Sequence, residues 1–326
     1  MTTTAAGGVR RPVRVVLTGA TGFVGSAVLR RLLDRNGPAA GVVVRALART
    51  VPREAVERPD VHWQTADITT PASLDGVARD ADVLIHLASR VTGDAAACTA
   101  VNTRGTQALM DEARRRGVRR VVHLSTTAVY GPGPHRGIHV DETTPAPVSP
   151  ASRSRLAAEE FALAAGAVVL RPGLVLGTGD RWVVPALAEL LDRVPARWDG
   201  GRGLISLVDV DDLARLIVAL ACGPVEVPPG IYHASHPVPV SNRDMMTRLA
   251  DLGVLPTVVE DLPWRECLRR LGETSGQVSA RQFALLAQDH WYRSEHIWRA
   301  ADCPEGAGPL TRLAASAVWY RAHLSS

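Results

Sequence analysis

The chain of 326 residues is 46% hydrophobic and 21% charged, which is typical of a globular protein with a large buried core. Its formal net charge of +4 is small, and its basic residues cluster only at 114–116 and 119–120. A solvated helix end explains that cluster better than a nucleic-acid partner does. No stretch approaches the roughly 20 apolar residues of a membrane span, so no membrane partner is expected.

Cysteine usage and the first residues bear on the compartment. The four cysteines, Cys98, Cys222, Cys267 and Cys303, are far apart and lack metal-ligand spacing, so we expect reduced thiols, no bound metal and a cytoplasmic location. Residues 1–12 are small and polar, which predicts a flexible tail rather than a signal peptide. No lysine occurs, so all 37 basic residues are arginine.

The first predicted element is a buried parallel strand over Val13–Leu17, because this run is short, β-branched and ends near a glycine. Gly19, Gly22 and Gly25 follow at a spacing of three, and residues 26–33 continue with helical periodicity. Such glycines allow a tight turn, close approach of a phosphate and close packing of helix on strand. The positive end of the helix then faces an anion, so we predict a dinucleotide pyrophosphate site.

A second strand is predicted over residues 42–47. In dinucleotide folds the end of this strand faces the adenosine ribose, where an acidic side chain favours NAD and an arginine favours NADP. Arg49 lies just past this end, with Arg45 two strand repeats earlier, and no acidic residue occurs between Asp34 and Glu54. These positions favour NADPH. The alternative is a surface arginine beside an NAD site.

Three more strands and a long helix are predicted over residues 61–64, 82–88, 119–124 and 99–116. Asp67, after the third strand, could accept a hydrogen bond from an adenine amino group or could instead shape its own turn. The fifth strand delivers Ser125, Thr126 and Thr127 to its carboxyl end. Open parallel sheets place ligand chemistry at that edge.

The pattern changes in the second half of the chain. A helix over 153–165 and a sixth strand over 167–171 complete a predicted dinucleotide-binding domain over residues 13–177. Residues 178–326 are predicted to form mainly a substrate-binding lobe, from which about 204–220 returns to the first domain. Four aromatic residues of the lobe could cover an apolar pocket for a large flat ligand, with core packing as the alternative for each: Trp264, Trp291, Tyr292 and Trp298.

Motifs that carry a family resemblance occur in order along most of the chain: Thr18–Gly25, His86–Ala88, Val101–Asn102 with Gly105–Thr106, Leu124–Gly131, Leu170–Gly173, Val175–Gly177 and Val208–Ala214. Together they resemble the extended short-chain dehydrogenase/reductase family, which includes sugar-nucleotide epimerases and dehydratases. The resemblance implies an α/β fold, a Rossmann doubly wound parallel sheet with a smaller C-terminal substrate-binding lobe. It also implies a bound nicotinamide dinucleotide.

The resemblance further implies roles for single residues. Its pyrophosphate loop would comprise Gly19, Thr21, Gly22, Phe23, Val24 and Gly25. Its other cofactor contacts would be the NADP-selecting Arg49, the adenine-edge pair Asp67 and Ile68, the segment Leu87, Ala88 and Ser89 near the ribose, and Pro172. Thr126 matches the family's catalytic Ser/Thr.

The chain departs from the family at the catalytic Tyr-x-x-x-Lys pair, where it has Ala151 and Arg155. The tyrosine moves the proton at the substrate oxygen and the lysine lowers the pKa of that tyrosine, roles that a methyl group and an arginine cannot take. Arg155 could still contact the nicotinamide ribose, or could be a solvated charge on its helix.

Three functions remain open at this point. The first is an atypical NADPH-dependent ketoreductase in which Thr126 orients the carbonyl and the proton comes from substrate or water. The motifs and the missing pair resemble the angucyclinone ketoreductases, which implies a ketone of an aromatic polyketide in antibiotic biosynthesis. The second is a non-catalytic NADP-binding sensor or assembly protein. The third, a sugar-nucleotide epimerase or dehydratase, is disfavoured because those reactions usually need the tyrosine base. The oligomeric state is left open.

Overall fold

A computed structural model describes residues 11–34, 41–53 and 58–325. The strands are β1 (Val13–Thr18), β2 (Val42–Ala48), β3 (Val61–Thr65), β4 (Val83–His86), β5 (Arg120–Leu124), β6 (His135–Ile138), β7 (Ala167–Arg171), β8 (Leu174–Leu176), β9 (Arg197–Trp198), β10 (Leu204–Ile205), β11 (Leu207–Asp209), β12 (Gly230–His233), β13 (Val240–Ser241), β14 (Asp261–Leu262) and β15 (His290–Tyr292). The helices are α1 (Phe23–Leu32), α2 (Ala95–Cys98), α3 (Thr106–Arg115), α4 (Pro150–Ala164), α5 (Val183–Arg193), α6 (Val210–Cys222), α7 (Asn242–Asp251), α8 (Trp264–Glu273), α9 (Ala280–Ala287), α10 (Glu295–Ala300) and α11 (Pro309–Leu324). Short 3₁₀ turns cover Pro71–Leu74, Thr127–Tyr130 and Asp199–Gly201.

The central feature is a parallel sheet of seven strands in the order β12-β7-β5-β4-β1-β2-β3. The chain runs outward from β1 to β3 on one side and then crosses to β4 on the other. The carboxyl ends of β1 and β4 therefore border the switch point where open α/β sheets bind ligands. This arrangement confirms the predicted Rossmann fold.

Helices cover both faces of the sheet, which explains why its inner strands read as continuous apolar runs. One core contains Val15 of β1, Val28 of α1 and Ile217 of α6. The other contains Val16 of β1 and Met110 of α3, together with side chains of α4. Neighbouring residues of β1 thus belong to opposite faces, as the two-residue period of a strand requires.

The predicted helix over 99–116 is divided into a π-helix, Thr99–Gly105, and then α3. Asn102 in the π-helix is buried, and a Cβ on Gly105 would lie 2.9 Å from the side chain of Ile68. The close approach to Ile68 and the burial of Asn102 are tertiary constraints, and periodicity in the sequence does not contain them. Wide turns of this kind are frequent at functional sites.

The C-terminal lobe has its own hydrophobic core, which includes Leu187, Trp198, Met245, Phe283 and Tyr320. In the part of the chain that the structure describes, three small sheets lie outside the central one: β13-β10-β15-β6, β11-β8 and β14-β9. Their strands β6 and β8 come from the predicted first domain, and the others come from the lobe. The lobe is therefore assembled from short strands and helices around a second core.

The two parts of the chain are interleaved more than the sequence predicts. Within the segment 204–220, β10 and β11 belong to small sheets, and α6 packs in the core of the central sheet. The edge strand β12 also returns to that sheet, and Trp298 of α10 is buried in the same core. Neither return was predicted.

The described residues include no helix that is both long and apolar enough to cross a membrane. All four cysteines are unpaired. In the same part of the chain, no group of three or more His, Cys, Asp or Glu side chains is placed to hold a metal ion.

Candidate active site

The turn between β1 and α1 is shaped by its glycines. Gly19 has a φ of +74°, and a Cβ there would lie 2.7 Å from the backbone nitrogen of Ala88. A Cβ on Gly25 would lie 1.8 Å from the carbonyl oxygen of Gly19, so only glycine allows α1 to approach the turn. Gly22 is the N-cap residue of α1 and supplies no side-chain cap for the first N–H groups of the helix. The turn therefore fits a pyrophosphate, which would take these N–H groups and the positive helix end.

A cavity of about 300 Å³ lies beyond this turn, lined by Thr21, Arg49 and Thr50. All three residues are exposed, and none carries a negative charge. A phosphate group at this place would meet the guanidinium of Arg49. The lining thus fits the 2′-phosphate that distinguishes NADP from NAD.

Asp67 lies close to this cavity but is engaged in its own turn. Its Oδ1 accepts hydrogen bonds from the backbone N–H of Thr69 at 2.9 Å and from the hydroxyl of Thr69 at 2.7 Å. These bonds lower the pKa of Asp67, and the charge of Arg49 lowers it further. Of the two alternatives for Asp67, turn shaping is thus visible in the structure, while an adenine contact stays a prediction.

Arg45 is not part of this group. Its guanidinium donates hydrogen bonds to the carbonyl oxygens of Val77 and Arg79, at 2.5 and 3.1 Å. These carbonyls precede the amino end of β4, whereas the glycine turn follows the carboxyl end of β1. We therefore correct the expectation for Arg45 and remove it from the cofactor contacts.

The segment from Leu87 to Ser89 follows β4 and lies against the glycine turn. Thr18 Oγ1 accepts hydrogen bonds from the N–H groups of Leu87 and Ala88, at 3.2 and 3.3 Å. Its hydroxyl therefore donates to Nδ1 of His86 at 2.7 Å, which leaves the Nε2 proton of His86 for Thr106 at 2.9 Å. Burial lowers the pKa of His86 to about 4, so a neutral ring joins β1, β4 and α3 behind the predicted ribose segment.

Thr126 lies at the carboxyl end of β5, where the sequence predicts it. Its neighbours Ser125 and Thr127 donate their backbone N–H groups to the carbonyl oxygens of Leu170 and Pro172, at 2.7 and 3.0 Å. The Thr126 Oγ1 accepts the N–H of Ala128 at 3.2 Å. Because the oxygen is the acceptor in this bond, the hydroxyl proton of Thr126 stays available for a ligand.

Ala151, in the family's tyrosine position, lies in the first turn of α4 among serines that are already bonded. Ser149 and Ser152 form a reciprocal capping box at the start of the helix. Ser154 donates its hydroxyl to the carbonyl oxygen of Ala151 at 3.0 Å and accepts from the side chain of Asn102 at 2.9 Å. The hydroxyl groups near Ala151 are thus engaged within the protein.

Arg155, in the lysine position, is half-buried and turned to the sheet. One of its terminal nitrogens donates to the carbonyl oxygens of Leu124 and Ser125, at 3.1 and 2.6 Å. The alternative that Arg155 is a solvated charge on its helix is therefore wrong. Its place at the carboxyl end of β5 keeps a ribose contact possible, and that contact stays a prediction.

A buried polar network behind Thr126 was not predicted. The hydroxyl of Ser125 donates to Glu159, whose carboxylate takes two hydrogen bonds from Arg171, at 2.5 and 3.0 Å. Arg171 also donates to the hydroxyl of Tyr130 at 2.9 Å, and that hydroxyl bonds Nε2 of His233 at 2.8 Å. The sequence signal that could have predicted this network is Arg171, a charged residue at the end of the buried strand β7, because a buried charge needs a partner.

A second cavity, of about 380 Å³, lies beside the turn that follows Thr126. Its lining residues come from that turn, from α8, from α9 and the residue that follows it, and from β15: Ala128, Gly131, Pro132, Gly133, Trp264, Leu268, Ala280, Arg281, Ala284, Leu285, Gln288 and His290. Trp264 packs against Phe283, with ring centroids 4.8 Å apart. The walls are mainly apolar, which suits a flat ligand larger than a simple ketone.

The four aromatic residues predicted to cover such a pocket are thus placed differently. Trp264 lines the cavity. Tyr292 packs on Tyr130, with ring centroids 5.5 Å apart, and the ring of Trp291 lies against Gly137. Trp298 is buried in a core of the central sheet, and its indole N–H donates to the carbonyl oxygen of Ser235 at 2.7 Å.

Comparison with known proteins finds similarity to a family of dinucleotide-dependent enzymes. The profile of the NAD dependent epimerase/dehydratase family matches residues 15–234. That span includes the glycine turn, Thr126, Ala151 and Arg155, and it ends just after β12.

Individual relatives differ in what they do. The chain is 28% identical over 318 residues to the 4-hydroxy-2-methyl-3-oxo-4-farnesyl-3,4-dihydroquinoline-1-oxide ketoreductase of Stigmatella aurantiaca, covering 93% of this chain and 85% of that protein. It is also 28% identical to a dTDP-glucose 4,6-dehydratase of Streptomyces antibioticus, covering 91% and 100%. The structure of a double mutant of DesIV, the dTDP-glucose 4,6-dehydratase of Streptomyces venezuelae, with bound NAD, superposes with a TM-score of 0.71 at 22% identity, over 95% of this chain and 97% of that one. The structural likeness establishes the fold.

Proposed function

The chain belongs to the NAD dependent epimerase/dehydratase family, and we propose that within it this protein is an NADPH-dependent ketoreductase. Its substrate is a ketone of an angucyclinone-type aromatic polyketide, which it reduces to a secondary alcohol in antibiotic biosynthesis. The substrate class rests on the resemblance of the motif set to the angucyclinone ketoreductase of simocyclinone biosynthesis. A ketoreductase among the relatives, with a quinoline-derived substrate in its name, supports the reaction class.

Two observations carry the proposal together: Ala151 stands in the family's tyrosine position, and an apolar cavity lies beside the turn that follows Thr126. Epimerisation and dehydration require proton transfers that a protein base usually performs, and no side chain at position 151 can perform them. Carbonyl reduction needs one proton at the oxygen, which the substrate itself can provide. The cavity walls, with Trp264 as an aromatic face, suit a flat polycyclic ketone.

The cofactor residues follow from the geometry of the glycine turn. The N–H groups at the start of α1 would hold the pyrophosphate, and Arg49 would hold the 2′-phosphate of NADPH. When bound, the reduced nicotinamide supplies a hydride. The segment Leu87–Ser89, placed by Thr18, would border the ribose.

The proton chemistry falls to Thr126 and the substrate. The free hydroxyl proton of Thr126 can donate a hydrogen bond to the ketone oxygen and so orient the carbonyl. A threonine is a poor net acid, so it does not deliver the proton. A phenol beside the ketone can hydrogen-bond the carbonyl oxygen, transfer its proton to it and recover one from water.

The test measures NADPH consumption and product formation with a panel of polycyclic hydroxyketones, with dTDP-glucose as the competing substrate class. We expect equal amounts of NADPH lost and secondary alcohol formed. A suitable control is Gly22→Asp, because Gly22 has a φ of −82° and the nearest atom to a Cβ is 3.2 Å away. The aspartate requires a shift of a few tenths of an ångström at the carbonyl oxygen of Gly19, and it then caps α1 and repels a pyrophosphate. Conversion of dTDP-glucose without net NADPH loss would overturn the proposal, as would tight NADPH binding with no turnover of any ketone.

A further inference from the structure

We infer that Arg281 makes the cavity selective for a substrate with an anionic group, such as a carboxylate, at the end remote from the reacting ketone. This inference rests on the proposed ketone reduction, since it identifies a further feature of the same substrate. Arg281 is exposed, and it is the one arginine among the described residues that line the cavity. No carboxylate side chain belongs to that lining.

The helix α9 sets the distance between the two ends of the cavity. Arg281, Ala284 and Leu285 line it at the spacing of a single helix face, and Gln288, the residue that follows the helix, also lines it. With a rise of about 1.5 Å per residue, the helix from Arg281 to its last residue, Ala287, spans about 9 Å, and Gln288 follows directly. The cavity therefore extends along α9, with Arg281 at one end and Gln288 at the other.

The Gln288 end is the one near the proposed chemistry. His290 lies two residues beyond Gln288, and its Nε2 accepts the backbone N–H of Gly133 at 3.2 Å. The turn that contains Gly133 continues from Thr126 through Ala128 and Gly131, which also line the cavity. A ketone beside Thr126 thus places the other end of a rigid polycyclic substrate near Arg281.

Arg281 brings a positive charge to the lining of the cavity. Among the described residues, none is placed to form an ion pair with its guanidinium. Arg281 also lies in the first turn of α9, at the positive end of the helix dipole, where a cation is disfavoured unless an anion is near. A carboxylate on the ligand would satisfy both the guanidinium and the helix end, and Trp264 and Leu268 would cover the ring system between them.

The experiment compares a polycyclic hydroxyketone that has a carboxylate remote from the ketone with its carboxamide. Both are assayed on the wild type, on Arg281→Gln and on Arg265→Gln, an exposed arginine of the neighbouring helix α8 that does not line the cavity. We expect the wild type to have about a ten-fold lower KM for the carboxylate, at a similar kcat, from one charge-assisted contact. Arg281→Gln should lose that preference because its KM for the carboxylate rises to about that for the carboxamide, while Arg265→Gln should keep it.

The outcomes separate this inference from the proposed function. If Arg281→Gln keeps the ten-fold preference, or if both variants weaken it equally, Arg281 does not form the anion subsite. If neither ketone is reduced by any of the proteins, the ketone-reduction proposal fails. Calorimetric titration of the carboxylate into the three proteins then still tests Arg281, because weaker binding to Arg281→Gln alone supports the subsite and equal binding overturns it.

Discussion

Arg155 donates a 2.6 Å hydrogen bond to the carbonyl oxygen of Ser125, so the side chain in the family's lysine position holds the end of β5. The same nitrogen donates to the carbonyl oxygen of Leu124 at 3.1 Å. Burial lowers the pKa of Arg155 from its ordinary 12.5 to about 10. At neutral pH the guanidinium therefore stays protonated by a margin of about a thousand to one.

This relationship predicts that position 155 does not control proton transfer. Arg155→Gln retains one donor for a carbonyl oxygen and loses the charge, so we expect turnover to fall by about ten-fold or less. The shape of the pH–rate profile from about pH 6 to about pH 9 should not change. Steady-state kinetics of both proteins across that range provide the check. A limb of the wild-type profile that disappears in Arg155→Gln would show that this residue takes part in the proton step.

Arg49 is predicted to select the cofactor, since it lines the cavity beyond the glycine turn together with Thr21 and Thr50. A charge-assisted hydrogen bond contributes about 1.5–3 kcal/mol, so Arg49→Ala should weaken NADPH binding by roughly 10- to 100-fold. NADH binding should hardly change. Calorimetric titrations of both cofactors into both proteins measure the difference. Equal losses for NADPH and NADH would refute the role, and Arg45→Ala is the matched control because Arg45 binds backbone carbonyls elsewhere.

Asp209 provides a prediction about stability. It is buried, it caps α6 through the N–H of Asp211, and burial, with the charges of Asp211 and Asp212, raises its pKa from 3.8 to about 6. A carboxyl group whose pKa is raised in the folded state favours folding below pH 4, and that contribution is lost as pH rises through 6. Asp209→Asn keeps the cap and cannot ionise.

Asp209→Asn should therefore be more stable than the wild type at pH 8, by about 1–3 kcal/mol, and should lose most of that advantage at pH 4. Urea unfolding of both proteins at the two pH values gives the free energies. A difference that is the same at pH 4 and at pH 8 would mean that ionisation of Asp209 does not govern it.

The sequence predicted the inner strands of the central sheet well because these strands are buried on both faces. Val83–His86 is an unbroken buried run, and β1 ends in four buried residues, so hydrophobic patterning alone locates them. The edge strand β12 was missed for the opposite reason. Three of its four residues are only half-buried, so no apolar run distinguishes Gly230–His233 from a loop.

The candidate site was predictable where one local segment makes it and not where distant segments meet. The glycine turn depends on the spacing of Gly19, Gly22 and Gly25, which the sequence displays directly. Arg45 was misplaced because a strand position shows that a side chain is near an edge but does not show which carbonyls it bonds. The ion pair of Glu159 and Arg171 and the cavity wall at Trp264 depend on how separate elements pack, and periodicity holds no information on that.

The last prediction concerns the source of the proton at the ketone oxygen. Thr126 retains a free hydroxyl proton, Ala151 has no acidic group, and the serines around Ala151 are bonded within the protein. Thr126 therefore orients the carbonyl, and Thr126→Val should lower turnover by no more than about 100-fold, the low end for an acid–base group. If the neighbouring phenol supplies the proton, methylating it should harm turnover more than the mutation does. The wild type should therefore reduce the methyl ether more slowly than Thr126→Val reduces the phenol. Turnover of phenol and ether by both proteins, with binding of each ligand measured separately to exclude a steric clash, decides between these sources. An ether reduced as fast as the phenol, together with an inactive Thr126→Val protein, would return the proton source to the protein.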